Sequence, residues 1–297
     1  MRFHSQGPSL VVDTPAKLNL YLAVRGKRPD GYHELETVMV SVGLFDTLRF
    51  VLFPDPAIRL RTETTLVGSE MDLPPGDDNL IVRAAKLLAC ETGCRQGALI
   101  ELRKRIPLAS GLGGGSSDAA ATLVALNRLW RTSLNSAELH NLAARLGSDV
   151  NFFLDSCPLA LCHGRGEQIA PKSLRVPLHF VLVRPATGLA TRDVFRTWRD
   201  DGIRNTPDNL LAFLVDGRVS SAGLALYNAL QTPAARLNTD VGRALHTLST
   251  WFRGACSMTG SGSVCFGLCG SRRHARSVGA RIRAAAIGRV WVVGTAV

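Results

Sequence analysis

Residues 107–121 read Pro-Leu-Ala-Ser-Gly-Leu-Gly-Gly-Gly-Ser-Ser-Asp-Ala-Ala-Ala. Four of the five positions from Gly111 to Gly115 are glycine, where a turn that merely feeds a helix needs roughly one or two. Glycine reaches φ > 0 and carries no Cβ to hold a phosphate away from the backbone. Successive N–H groups in such a loop make an anion-binding concavity. The alanine-rich helix that follows adds its unpaired N–H groups and the positive end of its dipole. The stretch from Pro107 to Ser117 is therefore read as a phosphate loop. Ser116 and Ser117 either donate hydroxyls to the anion or turn one hydroxyl to Mg²⁺. A nucleotide P-loop is excluded, because no lysine follows these glycines. A dinucleotide fingerprint is excluded as well: Ser116 stands where the third glycine belongs, and the acidic residue after a second strand is missing.

The flanks of the loop predict its setting. Ala98, Ile100 and Leu102 alternate with polar neighbours, which gives a strand over 98–104. A helix is expected from about Ser116 to Trp130. Another has Ser136 as N-cap, Leu139, Leu142, Ala143 and Leu146 on one face, and Gly147 as its stop. Residues 79–92 carry apolar positions at helical spacing with Asn79 as N-cap. Asn79 and Asp77 are read either as neighbours of an adenine or simply as a helix cap. Residues 9–26 and 37–53 are strands, separated by the turn Arg28-Pro29-Asp30-Gly31. Further strands are expected at 158–163, 177–184, 262–269 and 289–294, and helices near 191–200, 207–216, 238–252 and 273–286. The order is mixed, not a regular βαβ alternation, so the fold class is α+β. Gly164, Gly166 and Pro171 punctuate a boundary within 155–175.

Composition narrows the function classes. No run approaches the roughly 18 apolar residues of a membrane span, and residues 1–10 lack the apolar stretch of a secretory signal. A cytoplasmic protein without a membrane partner is expected. The seven cysteines form no CxxC pair and the seven histidines no HExxH, so buried reduced thiols and no protein-bound structural metal are expected. The net charge is +11. Its basic residues are spread thinly, with short clusters such as Arg103-Lys104-Arg105 and few aromatics between them. That pattern fits an enzyme of anionic ligands and gives no nucleic-acid partner.

The glycine loop resembles the ATP loop of the GHMP kinase superfamily. Three more stretches carry the resemblance along the chain: Pro15-Ala16-Lys17-Leu18-Asn19-Leu20, Arg28-Pro29-Asp30-Gly31-Tyr32-His33-Glu34-Leu35, and Leu146-Gly147-Ser148-Asp149-Val150-Asn151-Phe152-Phe153. Met258-Thr259-Gly260-Ser261-Gly262-Ser263 is similar to the superfamily's third motif. Ser110, Asn151 and Met258 depart from the commoner residues of these motifs. The resemblance implies a two-domain GHMP-kinase-like fold, with mixed and antiparallel sheets packed by helices and the active site in the cleft between domains. It assigns residues 1–160 to an N-terminal domain and 161–297 to a C-terminal one.

The same resemblance implies a site. ATP, as its Mg²⁺ complex, is held by Pro107, Leu108, Ala109, Ser110, Gly111, Leu112, Gly113, Gly114, Gly115, Ser116 and Ser117. The acceptor is a cytidine diphosphate-linked methylerythritol, phosphorylated on its 2-hydroxyl. Asp149 accepts the hydroxyl proton or orients the hydroxyl, and Lys17 stabilises charge on the transferring phosphoryl group. Asn19 lies two residues on from Lys17, on the same strand face, and is assigned to the substrate hydroxyls. Tyr32 stacks on the cytosine, His33 hydrogen-bonds its edge, and Phe195, near Thr191, forms the opposite wall. A monomer or homodimer is expected. A sibling kinase with a homoserine- or mevalonate-like acceptor stays open, as does a non-catalytic nucleotide- or nucleic-acid-binding protein.

Overall fold

Two long strands organise the chain. In the computed structural model, which describes residues 1–7, 9–64, 73, 76–200, 202 and 206–296, β1 (Arg2–Gln6) leads into β2 (Ser9–Lys27), and β3 (His33–Phe53) returns beside it. Val, Leu and Ala fill the middle of β2, and Thr14 to Val24 are all buried. Packing divides the chain into two units. The first is Met1–Ala16, Leu44–Leu108 and Gly113–Cys157; the second is Lys17–Gly43, Ala109–Leu112 and Pro158–Val297. Both units are discontinuous in sequence because β2 and β3 each run through both.

In the first unit β1 pairs antiparallel with β2, from Arg2↔Asp13 to Gln6↔Ser9. The far half of β3 pairs antiparallel with β5 (Gly97–Lys104), and β4 (Ile58–Thr64) lies parallel to β5. Helices α1 (Leu80–Thr92), α2 (Gly114–Leu129), α3 (Ser136–Leu146) and the short α4 (Val150–Leu154) complete it. Asn79 caps α1 as expected, accepting from the Ile81 N–H at 2.9 Å. The cap of α3 is Asn135, not Ser136. Its side chain accepts from Glu138 N–H while the Glu138 carboxylate accepts from Asn135 N–H. This reciprocal capping box satisfies two end donors at once, which a serine one position later does not reach.

In the second unit the near half of β3 pairs with β6 (Leu159–Gly164), which pairs with β7 (Gln168–Pro171), and β9 (Tyr227–Asn228) lies parallel to β2. A separate antiparallel sheet has the order β10 (Cys256–Met258), β11 (Cys265–Cys269), β8 (His179–Arg184), β12 (Arg289–Gly294). The strand expected over 262–269 is thus shorter, because Thr259–Val264 form a tight loop before β11. Helices α5 (Thr191–Thr197), α6 (Asp208–Val215), α7 (Val219–Leu224), α8 (Gln231–Leu237), α9 (Thr239–Phe252) and α10 (Arg272–Ala284) follow. Val181, Val183, Leu230, Val241, Leu248, Met258 and Ile282 share one core. The fold is α+β with largely antiparallel sheets. Among the described residues no helix is long and apolar enough to cross a membrane. None of the seven cysteines forms a disulfide; Cys162, Cys265 and Cys269 are buried, and Cys90 is exposed.

Candidate active site

The residues of the second unit converge on Asn19. Lys17 sits on β2 with only 3% of its surface exposed, and its Nζ donates to Asn19 Oδ1 at 2.6 Å. The alternation of a strand puts both on one face. Asn19 Nδ2 donates to Thr37 Oγ1 at 2.8 Å, and Thr37 passes its own proton to the Tyr21 carbonyl at 2.6 Å. Thr259 closes the other side. Its Oγ1 accepts from the Asn19 N–H at 3.1 Å, and its hydroxyl is shared between Asn19 Oδ1 and the Gly111 carbonyl, each at 3.2 Å. These bonds fix which way the Asn19 amide points. They also bring Lys17, the loop residue Gly111 and the third motif into one buried network.

The middle of the glycine loop belongs to the same unit. The Lys17 N–H donates to the Leu112 carbonyl at 2.9 Å, and the Val264 N–H to the Ser110 carbonyl at 3.2 Å. Ser110 Oγ accepts from the Leu112 N–H at 3.4 Å. Gly111 has φ +77°, and a Cβ there would stand 2.1 Å from the Thr259 carbonyl oxygen. Its lack of a side chain is therefore required by protein packing as well as by any ligand. Asn228 holds the third motif from behind: its Nδ2 donates to the Met258 and Gly260 carbonyls at 2.7 and 2.9 Å.

The ends of the loop lie in the first unit. Gly113 takes the left-handed conformation before α2 and, as a glycine, offers no side chain to cap that helix. Ser117 is fully buried, and its Oγ has no hydrogen-bond partner among the described residues. Sixteen residues of α2 thus present an uncapped N-terminus with a hydroxyl beside it, a ready site for an anion. Behind it lies a cluster that the sequence reading passed over. Lys104 Nζ donates to Asp46 Oδ2 at 2.5 Å and to Asp118 Oδ2 at 2.8 Å, and Thr14 donates to Asp118 Oδ1 at 2.9 Å. Burial pushes the Asp118 carboxyl up, with Asp46 adding to the effect and Lys104 opposing it. Burial works against the Lys104 ammonium, but the carboxylates of Asp118 and Asp46 outweigh it and hold its pKa above the usual value.

Asp149 stands at the N-cap position of α4, two residues past Gly147, which ends α3. Its φ and ψ are −87° and −7°, and its side chain makes no capping bond to α4. Val150, Phe152 and Phe153 are buried and anchor the helix behind it. The geometry of Asp149 is thus set by the first unit and that of Lys17 by the second.

The expected base platform lies in the second unit. Tyr32 is 54% exposed, and the Arg165 guanidinium lies 5.0 Å from its ring centre. The His33 ring stacks on Phe195 with centroids 4.9 Å apart and an interplanar angle of 28°, and Trp198 meets His33 edge-on at 5.9 Å. Burial, with a smaller contribution from Lys27, lowers the pKa of His33 below its usual value. Thr191, the first residue of α5, shares a 2.7 Å hydrogen bond with Ser261 of the third motif. Among the described residues, no group of three or more His, Cys, Asp or Glu side chains forms a metal cluster.

Comparison with known proteins places these features in a family. The profile of the GHMP kinases N terminal domain matches residues 79–156. The 4-diphosphocytidyl-2-C-methyl-D-erythritol kinase of Pelotomaculum thermopropionicum is 42% identical over 270 residues, covering 90% of this chain and 92% of its own. The enzyme of the same name from Ralstonia pickettii is 42% identical over 89% of this chain and 86% of its own. A crystal structure of 4-(cytidine 5'-diphospho)-2C-methyl-D-erythritol kinase superposes with a TM-score of 0.78 at 35% identity, covering 97% of this chain and all of that one. Homoserine kinase from Cytophaga hutchinsonii shares the fold at a TM-score of 0.75 and 19% identity, over 100% of this chain and 97% of that one.

Proposed function

We propose a mechanism from the premise that this chain belongs to the 4-diphosphocytidyl-2-C-methyl-D-erythritol kinase family, ATP-dependent enzymes of the GHMP superfamily. The reaction moves the γ-phosphoryl group of ATP to the 2-hydroxyl of 4-diphosphocytidyl-2-C-methyl-D-erythritol. The products are the 2-phosphate and ADP, on the non-mevalonate route to isoprenoid precursors.

The observation that carries the donor half is the uncapped start of α2 with the buried, unpartnered Ser117 hydroxyl. Residues 107–117 bind the ATP phosphates through backbone N–H groups and the helix dipole. Ser117 Oγ, with Ser116 as the alternative, would supply an oxygen to the Mg²⁺ of the nucleotide complex, an ion that needs few protein oxygens and that would supply neutralising charge to the phosphate oxygens when bound.

Phosphoryl transfer asks the protein mainly for alignment and charge stabilisation. Asp149 takes the 2-hydroxyl proton or orients that hydroxyl toward the phosphorus. Lys17, positioned through Asn19, stabilises charge on the transferring group. The Asn19 amide has two hydrogens, and Thr37 uses one, so the second can serve a substrate hydroxyl. Tyr32 stacks on the cytosine, neutral His33 bonds its edge, and Phe195 with Thr191 forms the facing wall. Cysteines without disulfides fit a reducing, cytoplasmic setting. We assign the enzyme no nucleic-acid or membrane partner and a monomeric or homodimeric state.

The test is product stoichiometry. Incubation with ATP, Mg²⁺ and the cytidine substrate yields ADP and a new phosphomonoester in equal amounts, and omission of the substrate stops ADP release. ADP release that is independent of the substrate contradicts the assignment.

A further inference from the structure

The buried charges around Lys104 take no part in the chemistry above, yet they are placed at both ends of the ATP loop. Asp46, Lys104, Asp118 and Thr14 have 0, 1, 1 and 0% of their surface exposed. Asp46 Oδ1 accepts from the N–H groups of Arg105 and Ile106, at 2.5 and 2.8 Å. These are the two residues that precede Pro107. Asp46 Oδ2 meets Lys104 Nζ, which bridges to Asp118 on the second turn of α2, just past the loop. Thr14 of β2 ties down the other oxygen of Asp118. The start of α2 is seated directly on this lysine: a Cβ on Gly114 would stand 3.0 Å from Lys104 Nζ and 2.8 Å from Ile106 Cγ2.

Taking three ions out of water costs several kcal/mol for each, and a packed apolar cluster of the same volume stabilises a core at least as well. What the ions add is direction. Each contact is short and oriented, and together they join the segment entering the loop to the segment leaving it. A phosphate cradle of backbone N–H groups works only when those groups are held to within about 0.5 Å.

We propose that Lys104, Asp46 and Asp118, with Thr14, are positioning residues that preorganise the ATP loop from beneath, acting on nucleotide binding and not on the cytidine substrate. The proposal rests on the reading that residues 107–117 bind ATP.

The experiment uses Asp118→Asn, which keeps the shape and an acceptor while removing one charge. Three quantities are read beside wild type: the Kd of MgADP by titration calorimetry, the KM for each substrate, and amide hydrogen exchange. The expected result is a Kd for MgADP and a KM for ATP raised about tenfold, close to 1.4 kcal/mol. The KM for the cytidine substrate stays at its wild-type value, and exchange speeds up in residues 105–118 with the rest of the chain unchanged. If Asp118→Asn does not fold, Thr14→Val serves instead, with shifts in the same direction and smaller. An unchanged MgADP affinity with unchanged loop exchange overturns the proposal. So does an equal rise in both KM values with faster exchange throughout, which is the signature of general loosening. Wild-type enzyme that fails to bind MgADP overturns the ATP-loop reading itself, a separate outcome.

Discussion

Lys17 Nζ rests 2.6 Å from Asn19 Oδ1, two positions along the same buried strand. A lysine this deep is held in place by its partner, and the partner is held by Thr37 and Thr259. The ammonium therefore has a fixed position, which is what charge stabilisation in a transferring phosphoryl group requires.

Lys17→Met keeps most of the buried stem and removes the charge. Asp149→Asn keeps the shape and removes the base. Each variant is expected to lower kcat by at least ~10²-fold, with far-UV circular dichroism unchanged. Turnover near wild type in either would remove that residue from the catalytic pair.

Gly111→Ala places a methyl group 2.1 Å from the Thr259 carbonyl oxygen, at a φ of +77° that alanine rarely adopts. Backbone stands on both sides, so the clash cannot be relieved by a rotamer change. The expected loss is on the order of 3 kcal/mol of stability or more, read as a lower urea midpoint. Gly115→Ala is the control, because its added carbon would meet only the Leu80 side chain at an ordinary 3.5 Å.

Tyr32 is exposed while His33 is stacked on Phe195. Tyr32→Ala is expected to raise the KM for the cytidine substrate by an amount on the order of 1–3 kcal/mol and to leave the KM for ATP almost unchanged. Equal effects on both would argue against a base-stacking role.

Burial, and then Lys27, lower the pKa of His33. The ring is neutral through the physiological range and protonates only below the usual value of about 6.5. A lowered histidine pKa means that the unfolded chain takes up its proton first as the medium is acidified. His33 therefore costs no stability above pH ~6.5 and increasingly disfavours the folded state as pH falls through that value toward its own pKa. Affinity for the cytidine base should weaken over the same window. A KM for the cytidine substrate measured from pH 8 down to 5 should rise at the acid end in wild type and stay flat in His33→Gln. A flat wild-type profile would remove His33 from base recognition.

The ease of reading the sequence varied with how local the signal was. The glycine loop, the Asn79 cap and the long strands were legible because turn chemistry and residue alternation act over a few positions. The α3 cap was misplaced by one residue because Asn135 and Ser136 are both good caps, and only the answering Glu138 carboxylate decides between them. Lys104 did leave a trace: Ala98, Ile100, Leu102 and Lys104 share the buried face of β5, so the same alternation that predicts the strand also turns the lysine inward. The cluster Arg103-Lys104-Arg105 hid this by looking like surface charge. Asp118 was the one acid on an alanine-rich helix, but its partners Lys104 and Thr14 lie 14 and 104 positions away. Asn228 gave no signal at all. Its role comes from the carbonyls of Met258 and Gly260, about thirty residues later, and spacing of that length carries no periodicity.

Acceptor preference tests the central claim most directly. With MgATP in excess, kcat/KM should be compared for 4-diphosphocytidyl-2-C-methyl-D-erythritol, homoserine and mevalonate, with ³¹P NMR locating the new phosphate. The expected result is turnover of the cytidine compound alone, phosphorylated on its 2-hydroxyl. A higher kcat/KM for homoserine or mevalonate would contradict it.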